Sequence, residues 1–180
     1  MILGLDISTS ITGASILSAD GDVLYCESWD TRNKKKFPSI YKKAAFVKKN
    51  LFELDKRFDI GYIYIEQSLQ SFRSGFSSAK TLSTLSRFNG VVSWLCWDIF
   101  GIEPEMLSAA SARKTAGVSI KRGENAKEKV LQFLLDTEPS FVIEYTKHGN
   151  PVAGSYDRAD SLIIARAGAS VAIDEKIKNS

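Results

Sequence analysis

Histidine is almost missing from this 180-residue chain, His148 being the single example. That excludes histidine-rich metal sites and counts against a Ser-His-Asp triad. Cysteine is nearly as scarce. Cys26 and Cys96 lie far apart with no CxxC spacing, so both read as reduced and structural, as expected in the cytoplasm. Long apolar runs are lacking too: the longest, Val91–Ile102, is too short to span a membrane and contains Asp98. The first residues enter an apolar strand directly, with neither a basic flank nor a cleavage site, so no secretory leader is expected. Nor is there a strong charge imbalance. Lys and Arg number 24 against 21 Asp and Glu, a formal +3, so the distribution of charge matters more than its total. With no repeat, low-complexity tract or linker, residues 1–180 read as one domain with a sizeable core.

What is present begins with Met1–Gly21. Met1–Leu5 reads as a buried strand that delivers one carboxylate, Asp6, to its C-terminal end. Small and hydroxylated residues follow (Ser8, Thr9, Ser10, Thr12, Gly13), then the apolar run Ala14–Leu17 and the turn signal Asp20-Gly21. A lone aspartate facing such a hairpin suits a cation or a phosphate; once further carboxylates converge on it, as below, the small residues read as clearance for a DNA backbone. Asp22–Ser28 continues as a third strand, with Val23 and Tyr25 on one side and Leu24 and Cys26 on the other.

Pro38 fits the first turn of a helix over Ile40–Arg57, whose apolar positions Ile40, Ala44, Val47, Leu51, Leu54 and Phe58 recur at helical spacing. From Arg32 to Asn50 the chain carries eight basic residues and no acidic one, which reads either as a solvated face or as a phosphate-facing surface. Tyr62–Ile65 is a short apolar run of central-strand character ending on Glu66. Gln67–Ser78 reads as a loop and Ala79–Phe100 as a long helix ended by Gly101. A short strand over Glu103–Leu107, a helical turn over Ser108–Lys114 and a loop over Ala116–Asn125 follow; the loop holds Lys121 and Arg122. Glu124 or Asn125 caps the next helix, which runs to about Leu135. Thr137–Ser155 reads as irregular, with a candidate strand at Phe141–Tyr145, and a final helix covers about Asp157–Lys178. The expected fold class is α/β: a five-stranded mixed sheet, three antiparallel strands then parallel ones, with helices on both faces. The crossover helix makes the Glu66 strand parallel to the first, so Asp6 and Glu66 share one sheet edge.

Asp157 and Asp160 share a face of the last helix at i, i+3, near its positive end. Asp157 alone could be an N-cap, but Asp160 precedes the apolar run Leu162–Ala165 and needs a partner. Asp6, Glu66, Asp157 and Asp160, with no basic residue locally paired to them, would repel strongly. Two divalent cations remove that cost, and oxygen-only ligands select Mg²⁺ or Mn²⁺ over Zn²⁺. Two such ions roughly 4 Å apart activate water and stabilise the leaving oxygen in phosphodiester cleavage.

Three blocks now stand in order: ILGLDISTSITGASI at the start, IYIEQ at Ile63–Gln67 and YDRADSLIIA at Tyr156–Ala165. Together with ARKTAGVSIKRGENAKEKV at Ala112–Val130, they resemble the RuvC-type Holliday junction resolvases of the RNase H-like (retroviral integrase) superfamily. The resemblance implies that fold and places Asp6, Glu66, Asp157 and Asp160 on the family's four metal ligands. It gives Lys127 the role of a basic residue supporting transition-state charge, and Arg113 or Lys114 that of an upstream DNA contact. Lys121 and Arg122 fall in the same DNA-contacting segment. It further implies a homodimer, with two Mg²⁺ per site, that makes paired cuts in a four-way junction and leaves 5′-phosphate and 3′-hydroxyl ends. There are departures. Thr137–Ser155 is longer than in typical bacterial members, Leu69 stands where an aromatic often stacks at the junction, and the basic run at Arg32–Lys49 is heavier. These mark a divergent member, of the sort a bacteriophage or other virus could encode.

Phe72 and Arg73, beside Glu66, could stack on unpaired bases, whereas Phe76 reads as packed beneath its loop. Trp94 and Trp97 read first as core, with a dimer interface as the alternative, and His148 as a surface loop residue. Three other functions remain in view. One is a related nuclease acting on flaps, forks or RNA–DNA hybrids. Another is an ATP-binding domain of the actin and sugar-kinase type, for which the chain is short and lacks a second phosphate hairpin. The third is a junction-binding protein without catalysis, against which all four acidic positions stand.

Overall fold

The computed structural model describes residues 1–67 and 79–178. Its elements are β1 (Ile2–Asp6), β2 (Ile11–Leu17), β3 (Val23–Asp30), α1 (Ile40–Asp55), β4 (Tyr62–Glu66), α2 (Ala79–Phe100), β5 (Glu105–Leu107), α3 (Ala109–Thr115), α4 (Ala126–Thr137) and α5 (Ser155–Lys178). The five strands form one sheet in the order β3-β2-β1-β4-β5. The first three are antiparallel, joined by short turns, while β4 and β5 add in parallel after the crossover helices α1 and α2. This is the mixed sheet expected from the sequence.

Strand parity assigns the two faces. In β1, Leu3 and Leu5 join Ile63 and Ile65 of β4 and Ala14 and Ile16 of β2 in a core closed by Val47, Leu51 and Leu54 of α1 and Phe88, Val92 and Leu95 of α2. On the other face Ile2, Leu17 and Tyr64 meet Ala112 of α3, Val130, Leu131 and Leu134 of α4, and Ala159, Leu162, Ile163 and Ala165 of α5. Because side chains alternate along a strand, Asp6 lies on the α5 face with Ile2 and Gly4, and Glu66 on it with Tyr62 and Tyr64.

The structure departs from the sequence expectations at several places. A β-bulge shifts the register so that Leu17 faces Val23 while Ile16 faces Tyr25. Val23 and Cys26 therefore pack on the α5 face and Tyr25 on the other, and Val23 and Tyr25 do not share a side. Phe141–Tyr145 is not a strand. Phe141 and Ile143 are buried as alternation suggested, but the Val142 carbonyl accepts from Arg158 (3.1 Å) and the Glu144 carbonyl from the Val152 N–H (3.0 Å). The backbone thus closes on a side chain and a local bridge rather than on the sheet. Trp94 and Trp97 are each 54% exposed and are not core. The buried line of α2 runs through Phe88, Val92, Leu95 and Cys96, and both tryptophans lie two residues, about 200°, beyond members of it. Pro38 precedes the N-cap of α1 rather than opening its first turn; Ser39 caps the helix by accepting from the Lys42 N–H.

Candidate metal centre

β1 and β4 pair with Leu5 opposite Ile65, so Asp6 and Glu66 leave adjacent parallel strands at the same level. What brings the third carboxylate over them is the seating of α5. A Cβ on Gly13 would lie 1.9 Å from the Asp157 carbonyl oxygen, and one on Gly4 would lie 2.5 Å from the Ala165 nitrogen. The helix backbone rests directly on the sheet, at a distance only glycine permits. The hydroxyls of Ser15 and Ser161 hydrogen-bond at 2.8 Å in the same seam. Gly13 therefore makes room for α5 and not, as the sequence suggested, for a DNA backbone. Ser8 serves the β1–β2 turn, its hydroxyl donating to the Ile11 carbonyl (2.7 Å) and accepting from the Ile11 N–H (3.0 Å).

The first turn of α5 is fastened by Arg158. Its guanidinium donates to the carbonyls of Cys26 (2.9 Å) and Val142 (3.1 Å) and lies 5.2 Å from the centre of the Phe141 ring. Asp157 lies inside that turn, since α5 begins at Ser155, which removes the N-cap reading. Carboxylate oxygens of Asp6, Glu66 and Asp160 all fall within 4.8 Å of one another. Asp157 is outside this trio, but its charge acts on both Asp6 and Asp160.

The cluster is not without cations. Lys127, in the first turn of α4, places Nζ 3.6 Å from Asp160 Oδ2, a partner that comes from another helix and not from the acids' own neighbours in the chain. Asn125 is the cap that sets this turn, accepting from the Lys127 N–H at 3.1 Å. Glu124, the other candidate cap, instead accepts from the Lys121 N–H and pairs with Lys129. Of Arg113 and Lys114, it is Arg113 whose charge acts on Glu66 and Asp160; Lys114 is exposed. Lys121 and Arg122 are exposed in the loop leading to α4. Leu69, Phe72, Arg73 and Phe76 lie outside the described residues.

Electrostatics at the cluster run one way. Burial, then the charges of Glu66, Asp160 and Asp157, push the Asp6 carboxyl well above the usual range. Burial and Asp160 raise Glu66 to about 7. Asp157 and Asp160 are also raised, burial being the main cause and Lys127 the main opposing one. For Lys127, burial acts to lower its pKa, but the four carboxylates outweigh it and hold the ammonium above its ordinary value. Carboxyls crowded until they retain protons are an all-oxygen donor set whose charge a hard divalent cation would balance, displacing those protons. The residues present fit Mg²⁺ or Mn²⁺.

Sequence reasoning missed Gly13 and Arg158 as positioning residues. Arg158 stands between two acidic residues in the chain, which hints at a local ion pair; only the fold turns it to the carbonyls of β3 and the 138–145 segment. Gly13 carried no signal beyond its small size.

No protein-family model and no curated sequence matches the chain. Among solved structures it is similar to T. thermophilus RuvC in complex with a Holliday junction substrate, at 15% identity and a TM-score of 0.66, over 96% of this chain and 94% of that one. It is likewise similar to another Thermus thermophilus RuvC structure, at 17% identity and a TM-score of 0.64, over 97% and 96%. A third is the yeast mitochondrial Holliday junction resolvase Ydc2, at 18% identity and a TM-score of 0.60, over 98% of this chain and 80% of that one. The chain has the fold of these proteins across nearly its whole length.

Proposed function

We propose that this protein is a metal-dependent endodeoxyribonuclease that resolves four-way DNA junctions by phosphodiester hydrolysis, leaving 5′-phosphate and 3′-hydroxyl ends. The observation that carries the reading is the convergence of Asp6, Glu66 and Asp160 within 4.8 Å at one sheet edge, with Lys127 beside them. Likeness of fold to proteins whose names specify Holliday junctions supports the substrate.

Asp6, Glu66 and Asp160 would hold the metal, with Asp157 one turn away completing the ligands of a second ion. Mg²⁺ there supplies positive charge to the scissile phosphate and the leaving oxygen and acidifies a water. The remaining work belongs to the chain. The Lys127 ammonium, fixed against Asp160, is placed to counter charge developing on the phosphate. Arg113, on the same side, adds to the positive field in which that phosphate is held. Lys114, Lys121 and Arg122, exposed on α3 and the loop after it, are placed to contact the DNA backbone farther out.

A four-way junction has two-fold symmetry, so paired cuts call for two copies of the site. We assign the dimer contact to the outer face of α2, where Val91, Trp94 and Trp97 stand exposed. The free thiols of Cys26 and Cys96 suit work in the reducing cytoplasm. Among the described residues no helix is long and apolar enough to cross a membrane.

The test is a panel of labelled substrates with Mg²⁺: four-way junction, fork, flap, plain duplex and RNA–DNA hybrid. Preferred cutting of the junction is expected. Preference for flaps or hybrids would favour a related nuclease and overturn the resolvase reading.

A further inference from the structure

Eight basic residues and no acidic one occupy residues 32–50, and the fold gives this run a definite place. β3 pairs with β2 so that Asp30 faces Ile11, while β2 pairs with β1 so that Gly13 faces Asp6. The exit of β3 is therefore at the same end of the sheet as the carboxylates. The segment after it is tied there: Thr31 donates its N–H to the Ser10 carbonyl at 2.8 Å, and Lys43 Nζ donates to the Thr9 carbonyl. The charge of Arg32 is felt at Asp157. α1 then runs away from that edge on the sheet face opposite α5 and Lys127.

Several of these cations are committed. Arg32 pairs with Asp30 (2.6 Å) and Lys48 with Asp98 (3.3 Å), while Lys36 lies over the rings of Phe37 and Phe46 at 5.3 and 5.7 Å. Lys34, Lys35, Lys42 and Lys49 are exposed, and among the described residues none of them has an acidic partner. Lys42 and Lys49 are seven residues apart, hence on one stripe of α1 and roughly 10 Å apart along it. That is about three phosphate spacings along the axis of one DNA strand, at roughly 3.4 Å each. The first turn of α1 contains no acidic residue, so the helix dipole adds to the same positive field.

We propose that Lys34, Lys35, Lys42 and Lys49 form a second DNA-binding surface, which grips the phosphate backbone of a duplex arm leaving the carboxylate site on the α1 side. The inference rests on the proposed nuclease function and adds a binding surface to it. Ammonium groups that meet phosphates contribute affinity without sequence preference. It places positive charge on both layers flanking the carboxylate edge: Arg113 and Lys127 on the α5 side, and this strip on the other.

The test compares two double variants, K34Q/K35Q and K42Q/K49Q, with a control double of equal charge change, K56Q/K178Q, at the C-cap of α1 and the last residue of α5, remote from the carboxylate edge. Binding to a four-way junction and to plain duplex is followed by fluorescence anisotropy from low to moderate salt in EDTA, with melting temperatures confirming that each variant is folded. Each phosphate contact contributes about 0.9 to the slope of log affinity against log salt. Each test double should therefore lower the slope by nearly two and weaken binding several-fold or more near 0.1 M salt, on both DNAs. The control should match wild type. Test doubles that behave like the control would overturn the proposal. Cleavage by wild type is scored in parallel. If it cuts no branched DNA while the doubles still lose duplex affinity, the nuclease reading fails and the binding surface stands.

Discussion

Glu66 ties stability to pH and metal most directly. Its carboxyl titrates near 7 in the folded chain against an ordinary 4.5. The folded state therefore holds a proton that the unfolded state releases, and stability falls as pH rises from about 4.5 to about 7, levelling above that. Asp6, Asp157 and Asp160 act in the same direction, so the loss belongs to the cluster as a unit. A divalent cation bound by these carboxylates would reverse the effect at high pH. Denaturant melts in EDTA should show lower stability at pH 8 than at pH 5, and Mg²⁺ or Mn²⁺ should restore it at pH 8. Stability in EDTA that climbs over this interval would contradict the crowded-carboxylate description. Lys127 offers a second residue-level test. Lys127→Met should slow cleavage by about 100-fold, the scale of removing one preorganised charge, while leaving junction affinity within a few-fold. Equal loss of binding and cleavage would make it a mere DNA contact.

At the scale of elements, the site depends on how α5 sits. The stripe Asp157, Ser161, Ala165, Gly168 lies against Gly13, Ser15, Gly4 and the Tyr64 ring, and this contact aims Asp160 at Asp6 and Glu66. Gly13→Ala would drive a methyl into the Asp157 carbonyl. It should cost at least about 2 kcal/mol and displace the first turn of α5, so thermal melting and cleavage should both suffer. A variant with wild-type stability and activity would show that the seam does not set the site. Much of this level was legible beforehand. The apolar run ending on Asp6 and the matching run ending on Glu66 are short and uninterrupted, as buried strands are, and the i, i+3 spacing puts two aspartates on one helix face, so the shared sheet edge and the helix face could be read. The approach of α5 to β2 could not, because it is a contact between backbones far apart in sequence. The bulge at Leu24 escaped for a similar reason: nothing local marks an extra residue in a strand that otherwise alternates. Trp94 and Trp97 were misplaced because hydrophobicity was read without angle; on α2 they fall away from the Phe88–Val92–Leu95 line.

For the whole molecule, the outer face of α2 and the carboxylate edge must act together if paired cuts are made. Trp94→Lys, exposed and outside both cores, should leave the fold intact, shift the protein to monomer by light scattering, and turn paired nicks into isolated ones. A variant that stays dimeric would move the contact elsewhere. The central claim is that Asp6, Glu66 and Asp160 hold a divalent ion with which this chain cuts junction DNA. The most direct measurement maps cuts on each strand of an end-labelled four-way junction, for wild type and Asp160→Asn, in Mg²⁺ and in EDTA. The account predicts symmetric, ligatable nicks in two opposed strands for wild type with Mg²⁺ alone, and at least a thousandfold loss in the variant, which still binds the junction. Cutting that persists in EDTA or in Asp160→Asn, or a wild type that binds junctions and never cuts them, would contradict it.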